Sequence, residues 1–340
     1  MGMCESCGLV QAVTDDHWSE ESRQIYTGYE IYHQGGGAEQ TVFNPGTGIG
    51  RSRSDSIVEG VLKTQALPNN GNLLDIGCGN GAFLRAFSRL VPEWRLAGSE
   101  FDTRHKTTVE AIPRVEKFYS GSLDEIQGSF DLISMIHVLE HISGPTAFLS
   151  RVRRMLNPGG LLLIEVPDCK INPFFLVVAD HASHFSPISL SATVAKAGFD
   201  VLQAGDMWVT KEISLLAKKS EGERVSTSTP PSTEDQTFKN WEYLKDLATE
   251  AERIAQRGQF GILGTSIAAT WLNAQLKHAV KFFVDEDPNR VGKQHEQRPI
   301  YAVNDIPAGA SVFIALPKVL AVKIAERLGK VRSDVQFVTP

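Results

Sequence analysis

Hydrophobic and polar positions alternate along this chain with two periods, one typical of buried strands and one typical of amphipathic helices. Residues 73–76 form a short apolar run that suits a buried parallel strand, and Phe83, Phe87 and Leu90 then share one helical face. The same pattern recurs along the chain, which predicts a doubly wound α/β sheet. The predicted elements are strands 73–76, 95–100, 115–119, 130–136 and 160–166 and helices 80–90, 103–111, 145–156 and 186–197.

The pattern continues into two edge strands and then into a second unit. Residues 201–205 and 212–217 have a short connection, so we expect them to pair antiparallel. A Ser/Thr/Pro/Glu-rich stretch that is poor in apolar residues then predicts a linker, and a second series of strands and helices begins near Phe260. The predicted fold class is α/β, a Rossmann-like sheet followed by a second, smaller Rossmann-like C-terminal domain. The predicted domain boundaries are 1–56, 57–218, 219–237 for the linker, and 238–340.

A glycine-rich turn joins the first strand of the sheet to its helix. Gly77, Gly79 and Gly81 permit a tight turn and let a ligand approach the backbone amides that open the helix. Asp75 precedes the turn, and Glu100 ends the next predicted strand, where an acid that binds ribose belongs. The G-x-G-x-G spacing differs from the G-x-G-x-x-G of dinucleotide-binding folds and disfavours NAD. The alternative is a glycine turn that only packs the helix on the sheet.

Three further segments follow in order, Phe-Asp-Leu-Ile at 130–133, His-Val-Leu-Glu-His at 137–141 and Asn-Pro-Gly-Gly-Leu at 157–161. Together with the glycine turn, they resemble the class I S-adenosylmethionine (SAM)-dependent methyltransferases. The resemblance implies a Rossmann-like methyltransferase sheet, SAM as cofactor and S-adenosylhomocysteine (SAH) as product. The implied cofactor-binding residues are Asp75, Gly77, Cys78, Gly79, Gly81, Glu100, Phe101, Ser122, Leu123 and His137.

Composition narrows the acceptor to small molecules. The chain of 340 residues has a formal net charge of −6 at pH 7, so it offers no basic field for a nucleic-acid polymer. It has no apolar run of membrane-spanning length and no signal-peptide pattern. We therefore expect no membrane partner and a cytoplasmic location, whereas the oligomeric state is left open.

The four cysteines are scattered and do not predict a disulfide framework. Cys4 and Cys7 form a C-x-x-C knuckle, which resembles the second half of a zinc-binding module that precedes the methyltransferase domain in some sugar C-methyltransferases. A closed zinc site needs four ligands, and the second cysteine pair is missing. We therefore predict no bound metal, with zinc at this knuckle only where His17 or a partner chain completes the site.

A tyrosine- and glycine-rich segment precedes the first strand. Tyr26, Tyr29 and Tyr32 are spaced to line one side of a short helix, and the glycines that follow have little to bury. We predict that this segment forms a lid whose tyrosines contact the acceptor. The alternative is a structural helix that packs on the sheet.

The C-terminal unit also resembles part of the nucleotide-sugar C-methyltransferases, through Val-Asp-Glu-Asp-Pro at 284–288, Gly-Lys at 292–293 and Pro-Ile at 299–300. In that family this unit holds the nucleotide part of the substrate. The residues that the resemblance assigns to acceptor binding are Gly264, Thr265 and Ser266. The alternative is that the glycines serve only the turn between strand and helix.

A histidine-bearing loop follows the last parallel strand of the first sheet and offers a base. Asp180, His181 and His184 are close in sequence, and an imidazole accepts protons near neutral pH. We predict that His181 is the proton acceptor, that Asp180 orients it, and that His184 is the second choice. His137 and His141 are expected near the adenosine end of the cofactor.

The same loop bears on the type of reaction. In the sugar C-methyltransferases it reads approximately Tyr-x-Glu-His-x-x-Tyr-Phe, and this chain has Val178 and His184 at the two tyrosine positions. The resemblance implies C-methylation of a nucleotide-linked keto-sugar, while the missing tyrosines leave O- or N-methylation of another small metabolite open. A module that binds SAM without turnover is a further alternative.

Overall fold

A computed structural model gives the structure of residues 1–28, 39, 41–43, 50–221, 234–316 and 318–340. The chain divides into two units, one made of residues 1–175 and 179–235 and the other of residues 176–178 and 236–340. Tyr29, Tyr32 and residues 222–233 of the predicted linker lie outside the described residues.

The first unit alternates strands with helices. Its described strands are β1 (Gly2–Met3), β2 (Val10–Gln11), β3 (Thr41–Phe43), β4 (Gly50–Ser52), β5 (Asn72–Ile76), β6 (Arg95–Glu100), β7 (Val115–Ser120), β8 (Phe130–Ile136), β9 (Leu156–Pro167), β10 (Ser183–His184), β11 (Phe199–Gly205) and β12 (Glu212–Lys219). Its described helices are α1 (Asp16–Gly28), α2 (Arg53–Thr64), α3 (Ala82–Leu90), α4 (Lys106–Glu110), α5 (Pro145–Arg154) and α6 (Pro187–Lys196).

Among the described residues of this unit, seven strands form one sheet in the order β11-β12-β9-β8-β5-β6-β7. Strands β5 to β9 run parallel, β12 is antiparallel to β9, and β11 pairs antiparallel with β12 as the sequence predicts. This seven-strand order is typical of Rossmann-like methyltransferase folds, so the predicted fold class is confirmed. The carboxyl ends of the parallel strands meet at one edge, where sheets of this kind bind their ligands.

The sheet is buried on both faces because successive positions of its central strands are apolar. Leu73 and Leu132 belong to the hydrophobic core on one face, and Leu74 and Ile133 belong to the core on the other. None of these four side chains is exposed to solvent. Since side chains alternate between the faces of a strand, two cores form from one run of apolar residues. The sheet is therefore a rigid support for the loops at its edge.

The ends of some elements differ from the predicted ones. Helix α4 is shorter than the predicted helix 103–111, because Asp102 accepts a hydrogen bond from Arg104 N at 2.8 Å and fixes a turn before it. Strand β9 begins at Leu156, earlier than the predicted start at residue 160. The start of α6 is confirmed, since the Ser186 side chain caps this helix and Pro187 follows it.

A small sheet at the N-terminus was not predicted. Strand β2 pairs antiparallel with β1 and also with β10 of the histidine-bearing loop, where Gln11 lies opposite Ser183 and Val10 lies opposite His184. Cys7 joins the core of the unit. Strands of two residues have no measurable periodicity, so the sequence pattern gave no sign of them. The N-terminal segment therefore holds the loop that carries His184.

The second unit contains a smaller sheet. Its described strands are β13 (Phe260–Leu263), β14 (Val280–Val284), β15 (Gln294–His295), β16 (Arg298–Tyr301), β17 (Ser311–Phe313) and β18 (Gln336–Val338), with helices α7 (Glu234–Ala255), α8 (Ile267–Leu276) and α9 (Lys318–Val331). In the described part of this unit, the six strands have the order β15-β16-β14-β13-β17-β18, and only β15 and β16 pair antiparallel. This is the predicted second Rossmann-like unit. Across the described residues of both units, no helix is long and apolar enough to cross a membrane.

Candidate cofactor and acceptor site

The glycine turn lies between β5 and α3 at the carboxyl edge of the sheet. Gly77, Gly79 and Gly81 have φ angles of +69°, +53° and +81°, which L side chains rarely adopt. A Cβ atom on Gly77 would lie 2.3 Å from Val138 Cγ2, and one on Gly81 would lie 2.4 Å from Ile112 Cδ1. At both positions the turn needs glycine for its backbone conformation and for its packing.

Glu100, at the end of β6, faces this turn. Its Oε2 accepts a hydrogen bond from Gly79 N at 2.9 Å, and its Oε1 accepts one from Phe101 N at 2.8 Å. These two bonds fix the carboxylate beside the turn. Phe101 is 79% exposed and so presents an aromatic surface on which a planar base can stack. The arrangement suits a nucleoside, with the acid on its ribose hydroxyls.

Asp75 lies inside the sheet. It is 2% exposed, and its Oδ1 accepts a hydrogen bond from Ser134 Oγ at 2.7 Å. Burial raises the pKa of this carboxyl to about 7, with the Ser134 bond opposing the shift and the Glu100 charge reinforcing it. Cys78 is buried as well, and burial raises the pKa of its thiol. Both side chains are thus buried beside the turn, and their contact with the cofactor stays a prediction.

Replacing Asp75 with asparagine is expected to make the stability of the protein less sensitive to pH. The folded-state pKa of about 7 lies above the unfolded value of about 3.9, so the wild type loses stability as pH rises between these values. The full loss is about 4 kcal/mol above pH 7. Urea unfolding at pH 5 and pH 8 captures about 2.7 kcal/mol of this loss, the part that falls above pH 5, with exposed Asp124→Asn as control. Identical pH dependence of wild type and Asp75→Asn would contradict this account.

Two other predicted cofactor residues, Ser122 and Leu123, follow β7 at the same edge. The Ser122 side chain caps the short 3₁₀ helix Leu123–Glu125 and accepts a hydrogen bond from Asp124 N at 3.3 Å. Leu123 packs against the core of the unit. Their contact with the cofactor stays a prediction.

His137, the last of the predicted cofactor residues, follows β8 and lies in a network of charged side chains. Its Nδ1 is 3.0 Å from Glu140 Oε1, and its Nε2 is 3.1 Å from Glu212 Oε2. Arg53 Nη1 donates to Glu212 Oε1 at 3.2 Å. Burial disfavours the charged imidazole, but Glu212 and Glu140 outweigh it and raise the pKa of His137 to about 10. Sequence reasoning missed Arg53 and Glu212 in this role because both are far from His137 along the chain.

Asp180 pairs with His141 and not with His181, so the predicted orientation of His181 by Asp180 is wrong. His141 Nδ1 lies 3.3 Å from Asp180 Oδ2 and 3.1 Å from Asp180 O. Burial works against protonation of His141, but the Asp180 hydrogen bond raises its pKa. The reason for the pairing is topological, since His141 follows β8, Asp180 follows β9, and these neighbouring parallel strands end at the same edge.

His181 and His184 lie next to His141, so three histidines come together here. The ring centroids of His141 and His181 are 5.0 Å apart, and those of His181 and His184 are 6.2 Å apart. We call His141, Asp180, His181 and His184 the histidine cluster. His181 and His184 are 8% and 4% exposed, and burial lowers the pKa of each to about 4. Both imidazoles are therefore neutral at physiological pH.

Helix α1 lies beside the histidine cluster. Its Tyr26 contacts His141 edge to face, with ring centroids 5.8 Å apart, and its Trp18 Nε1 donates to Ala179 O at 2.9 Å. Arg104, which follows β6, donates from Nη2 to Tyr26 O at 3.2 Å. Tyr26 of this helix is therefore in contact both with Arg104, which follows β6 near Glu100, and with His141 of the histidine cluster. A cavity of about 370 Å³ is lined by Glu21, Gln24, Ile25 and Ala179.

Cys4 and Cys7 adopt a knuckle-like turn. Gly8 N donates to Cys4 O and Cys4 N donates to Leu9 O, each at 2.8 Å. Hydrogen bonds with Ser6 lower the pKa of the Cys4 thiol to about 7, whereas burial raises that of Cys7. The described residues bring no third histidine, cysteine or acidic ligand to this pair. Zinc binding here lacks support.

The predicted acceptor residues of the second unit lie between β13 and α8. Gly264 has a φ of +80°, and Ser266 is the N-cap residue of α8. Thr265 Oγ1 lies 3.4 Å from Asp285 Oδ2 and accepts a hydrogen bond from Arg290 Nη1 at 3.1 Å. Asp285 follows β14, the position of the ribose-binding acid in a Rossmann unit. A cavity of about 350 Å³ is lined by Asp285, Glu286, Pro288, Val291, Ala302 and Val303.

The sheet, the glycine turn and Glu100 have the arrangement that the sequence resemblance to class I SAM-dependent methyltransferases predicts. Residues 51–204 match the family model described as a methyltransferase domain, Methyltransf_23. The matched residues include the glycine turn, Glu100 and the histidine cluster. The second unit lies outside the match.

Several similar proteins are methyltransferases by name. The chain is 28% identical over 114 residues to a trans-aconitate 2-methyltransferase of Deinococcus radiodurans, covering 33% of this chain and 40% of that protein. It is 29% identical over 123 residues to a ubiquinone biosynthesis O-methyltransferase of Xylella fastidiosa, covering 32% and 47%. A solved SAH-bound methyltransferase of calicheamicin biosynthesis is 16% identical with a TM-score of 0.39, covering 48% and 53%. The chain spans less than half the length of these two curated relatives.

Proposed function

We propose that the protein transfers the methyl group of SAM to a small-molecule acceptor. The observation that carries this proposal is the convergence of the glycine turn, Glu100 and the histidine cluster at the carboxyl ends of one set of parallel strands. The acceptor attacks the methyl carbon in line, the bond from that carbon to sulfur breaks, and SAH leaves with the electron pair. The protein chiefly has to align and desolvate the two reactants.

We assign removal of the acceptor's proton to the histidine cluster, with His181 as the leading acceptor and His184 as the second choice. His181 is neutral at physiological pH, because burial lowers its pKa to about 4. The nearby Glu140 and Asp180 carboxylates favour the imidazolium that forms when the proton arrives. In this proposal Asp180 acts through His141, which it holds by hydrogen bonds.

The proposed acceptor is a nucleotide-linked keto-sugar, methylated on carbon. The second Rossmann-like unit supports this class, because its Asp285 follows β14 beside a cavity and faces Thr265 of the turn between β13 and α8. Carboxylates suit the hydroxyl groups of ribose, and Gly264, Thr265 and Ser266 at the start of α8 suit a polar or acidic group. We propose that this unit binds the nucleotide part of the acceptor, whereas the contact of Tyr26 with the acceptor stays a prediction.

A second candidate function is O-methylation of another small metabolite. The observation that favours it is the similarity to an O-methyltransferase of ubiquinone biosynthesis, which is confined to the methyltransferase domain. The chemistry at the histidine cluster is compatible with both, since an enol and a hydroxyl each lose one proton on methylation.

Mass spectrometry of reactions with a panel of acceptors tests the proposal. SAM is supplied together with nucleotide-linked keto-sugars, the matching reduced sugars and free phenols or carboxylic acids. We expect a keto-sugar to gain one methyl group on carbon, a position that NMR of the product identifies. Methylation of only the phenols or acids would support the second candidate. A full panel without any methylated product, from protein that binds SAM, would contradict both.

A further inference from the structure

One group of side chains at the sheet edge has the spacing of a metal site. Among the described residues, a carboxylate oxygen of Glu140 and one ring nitrogen each of His141 and His181 lie within 4.8 Å of one another. Ligand atoms about 2.0–2.2 Å from one ion stand roughly 3–4 Å apart, so small side-chain movements close the set. We infer that Glu140, His141 and His181 bind one divalent transition-metal cation, with Asp180 as the hydrogen-bonded partner that orients His141.

Glu140 gives an independent sign of a missing ligand. The residue is 1% exposed, and its Oε1 pairs with His137 Nδ1 at 3.0 Å. Its Oε2 is buried and has no hydrogen-bond partner within the described part of the chain. A buried carboxylate oxygen without a partner is strongly unfavourable, and a bound cation removes that cost.

The surroundings of the two histidines match those of metal ligands. Histidines that bind metals commonly donate the second ring N–H to a carboxylate, and His141 Nδ1 does so to Asp180. This leaves Nε2 of His141 for the cation. The His181 ring lies beside that of His141, with the ring centroids 5.0 Å apart, and is 8% exposed, so both imidazoles can reach one buried position.

The set of donors indicates the kind of ion. Two imidazoles and one carboxylate suit zinc, manganese, cobalt or iron(II) better than magnesium or calcium, which prefer oxygen ligands. Three protein ligands leave at least one coordination position for an acceptor oxygen. The ion lowers the pKa of that enol or hydroxyl, and the released proton passes to solvent, so His181 then acts as a ligand. This role rests on the proposed methyl transfer, whereas cation binding does not.

Direct metal titration tests the inference. The full-length protein without an affinity tag is stripped with a chelator and titrated with Mn²⁺, followed by electron paramagnetic resonance, and with Co²⁺, followed by absorption. All of these titrations use the Cys4→Ser/Cys7→Ser background, which removes the knuckle thiols as competing ligands for the cation. We expect one ion per chain. His181→Gln and Glu140→Gln should weaken binding more than about 100-fold, and Asp180→Asn about 10–100-fold as for an outer-shell partner.

The controls separate this inference from the proposed function. His278→Gln, which changes an exposed histidine of the second unit, should leave cation affinity unchanged. Because Glu140 also bonds His137, His181→Gln decides the matter where Glu140→Gln does not fold. No stoichiometric binding, or equal binding by His181→Gln, overturns the cation site. SAM titration of the same samples reports on the cofactor site alone. A failure of the cation site can therefore be distinguished from a failure of the proposed methyl transfer.

Discussion

Replacing His181 with alanine is expected to lower the rate of methyl transfer about 10²–10⁴-fold while leaving SAM affinity nearly unchanged. The factor is that of a lost general base, and loss of a cation ligand acts in the same direction because it also prevents removal of the proton. SAM affinity is spared because the glycine turn and Glu100 form their contacts without His181. Single-turnover rates with the acceptor identified in the panel measure the effect.

His184→Ala provides the matched comparison. His184 belongs to β10 and is held by the N-terminal sheet, so we expect a smaller loss of rate. If both variants keep the wild-type rate, the base lies elsewhere, and Tyr26, Tyr29 and Tyr32 of the lid segment become the candidates, or the acceptor needs none. The cation content of His181→Ala separates the two roles, since a ligand takes the ion with it and a base does not.

Replacing Glu100 with alanine is expected to weaken SAM binding about ten- to a hundred-fold. A charged acceptor that pairs with buried donors contributes about 1.5–3 kcal/mol, and each 1.4 kcal/mol corresponds to about a factor of ten. The change also removes the hydrogen bond from Gly79 N to Glu100 Oε2, which helps to hold the glycine turn. Calorimetric titration with SAM and SAH gives both affinities.

Two variants make this result specific to the Glu100 charge. Glu100→Gln keeps the size of the side chain and one carbonyl acceptor, so it should bind SAM with intermediate affinity. Glu93→Ala removes an exposed acid near β6 and should bind like the wild type. Wild-type affinity in Glu100→Ala would show that the ribose-binding acid has been misassigned.

Local patterns predicted most of the scaffold. The strands around the glycine turn follow from apolar runs that are buried on both faces, as Leu73 and Leu74 illustrate by facing opposite cores. The start of α6 follows from Ser186 and Pro187, whose capping chemistry is local. Features of this kind are set by neighbours in sequence, and a single sequence is enough to find them.

Features that depend on distant pairs were missed. Asp180 was assigned to the adjacent His181, yet it pairs with His141, because the ends of β8 and β9 meet in the sheet. The segment 137–141 follows β8 in the predicted order, so the sheet topology was the signal that could have revealed this pairing. The small N-terminal sheet left no such signal, because pairing between Gln11 and Ser183 depends on the folded loop.

Titration of the wild-type protein with SAM, SAH and NAD tests the central claim most directly. We expect SAM and SAH to bind one per chain and, at about 100 times the dissociation constant, to stabilise the folded protein by about 2.7 kcal/mol. NAD should leave both the calorimetric signal and the unfolding midpoint unchanged. Binding of NAD without binding of SAM would contradict the assignment of the glycine turn and Glu100 to a methyl donor.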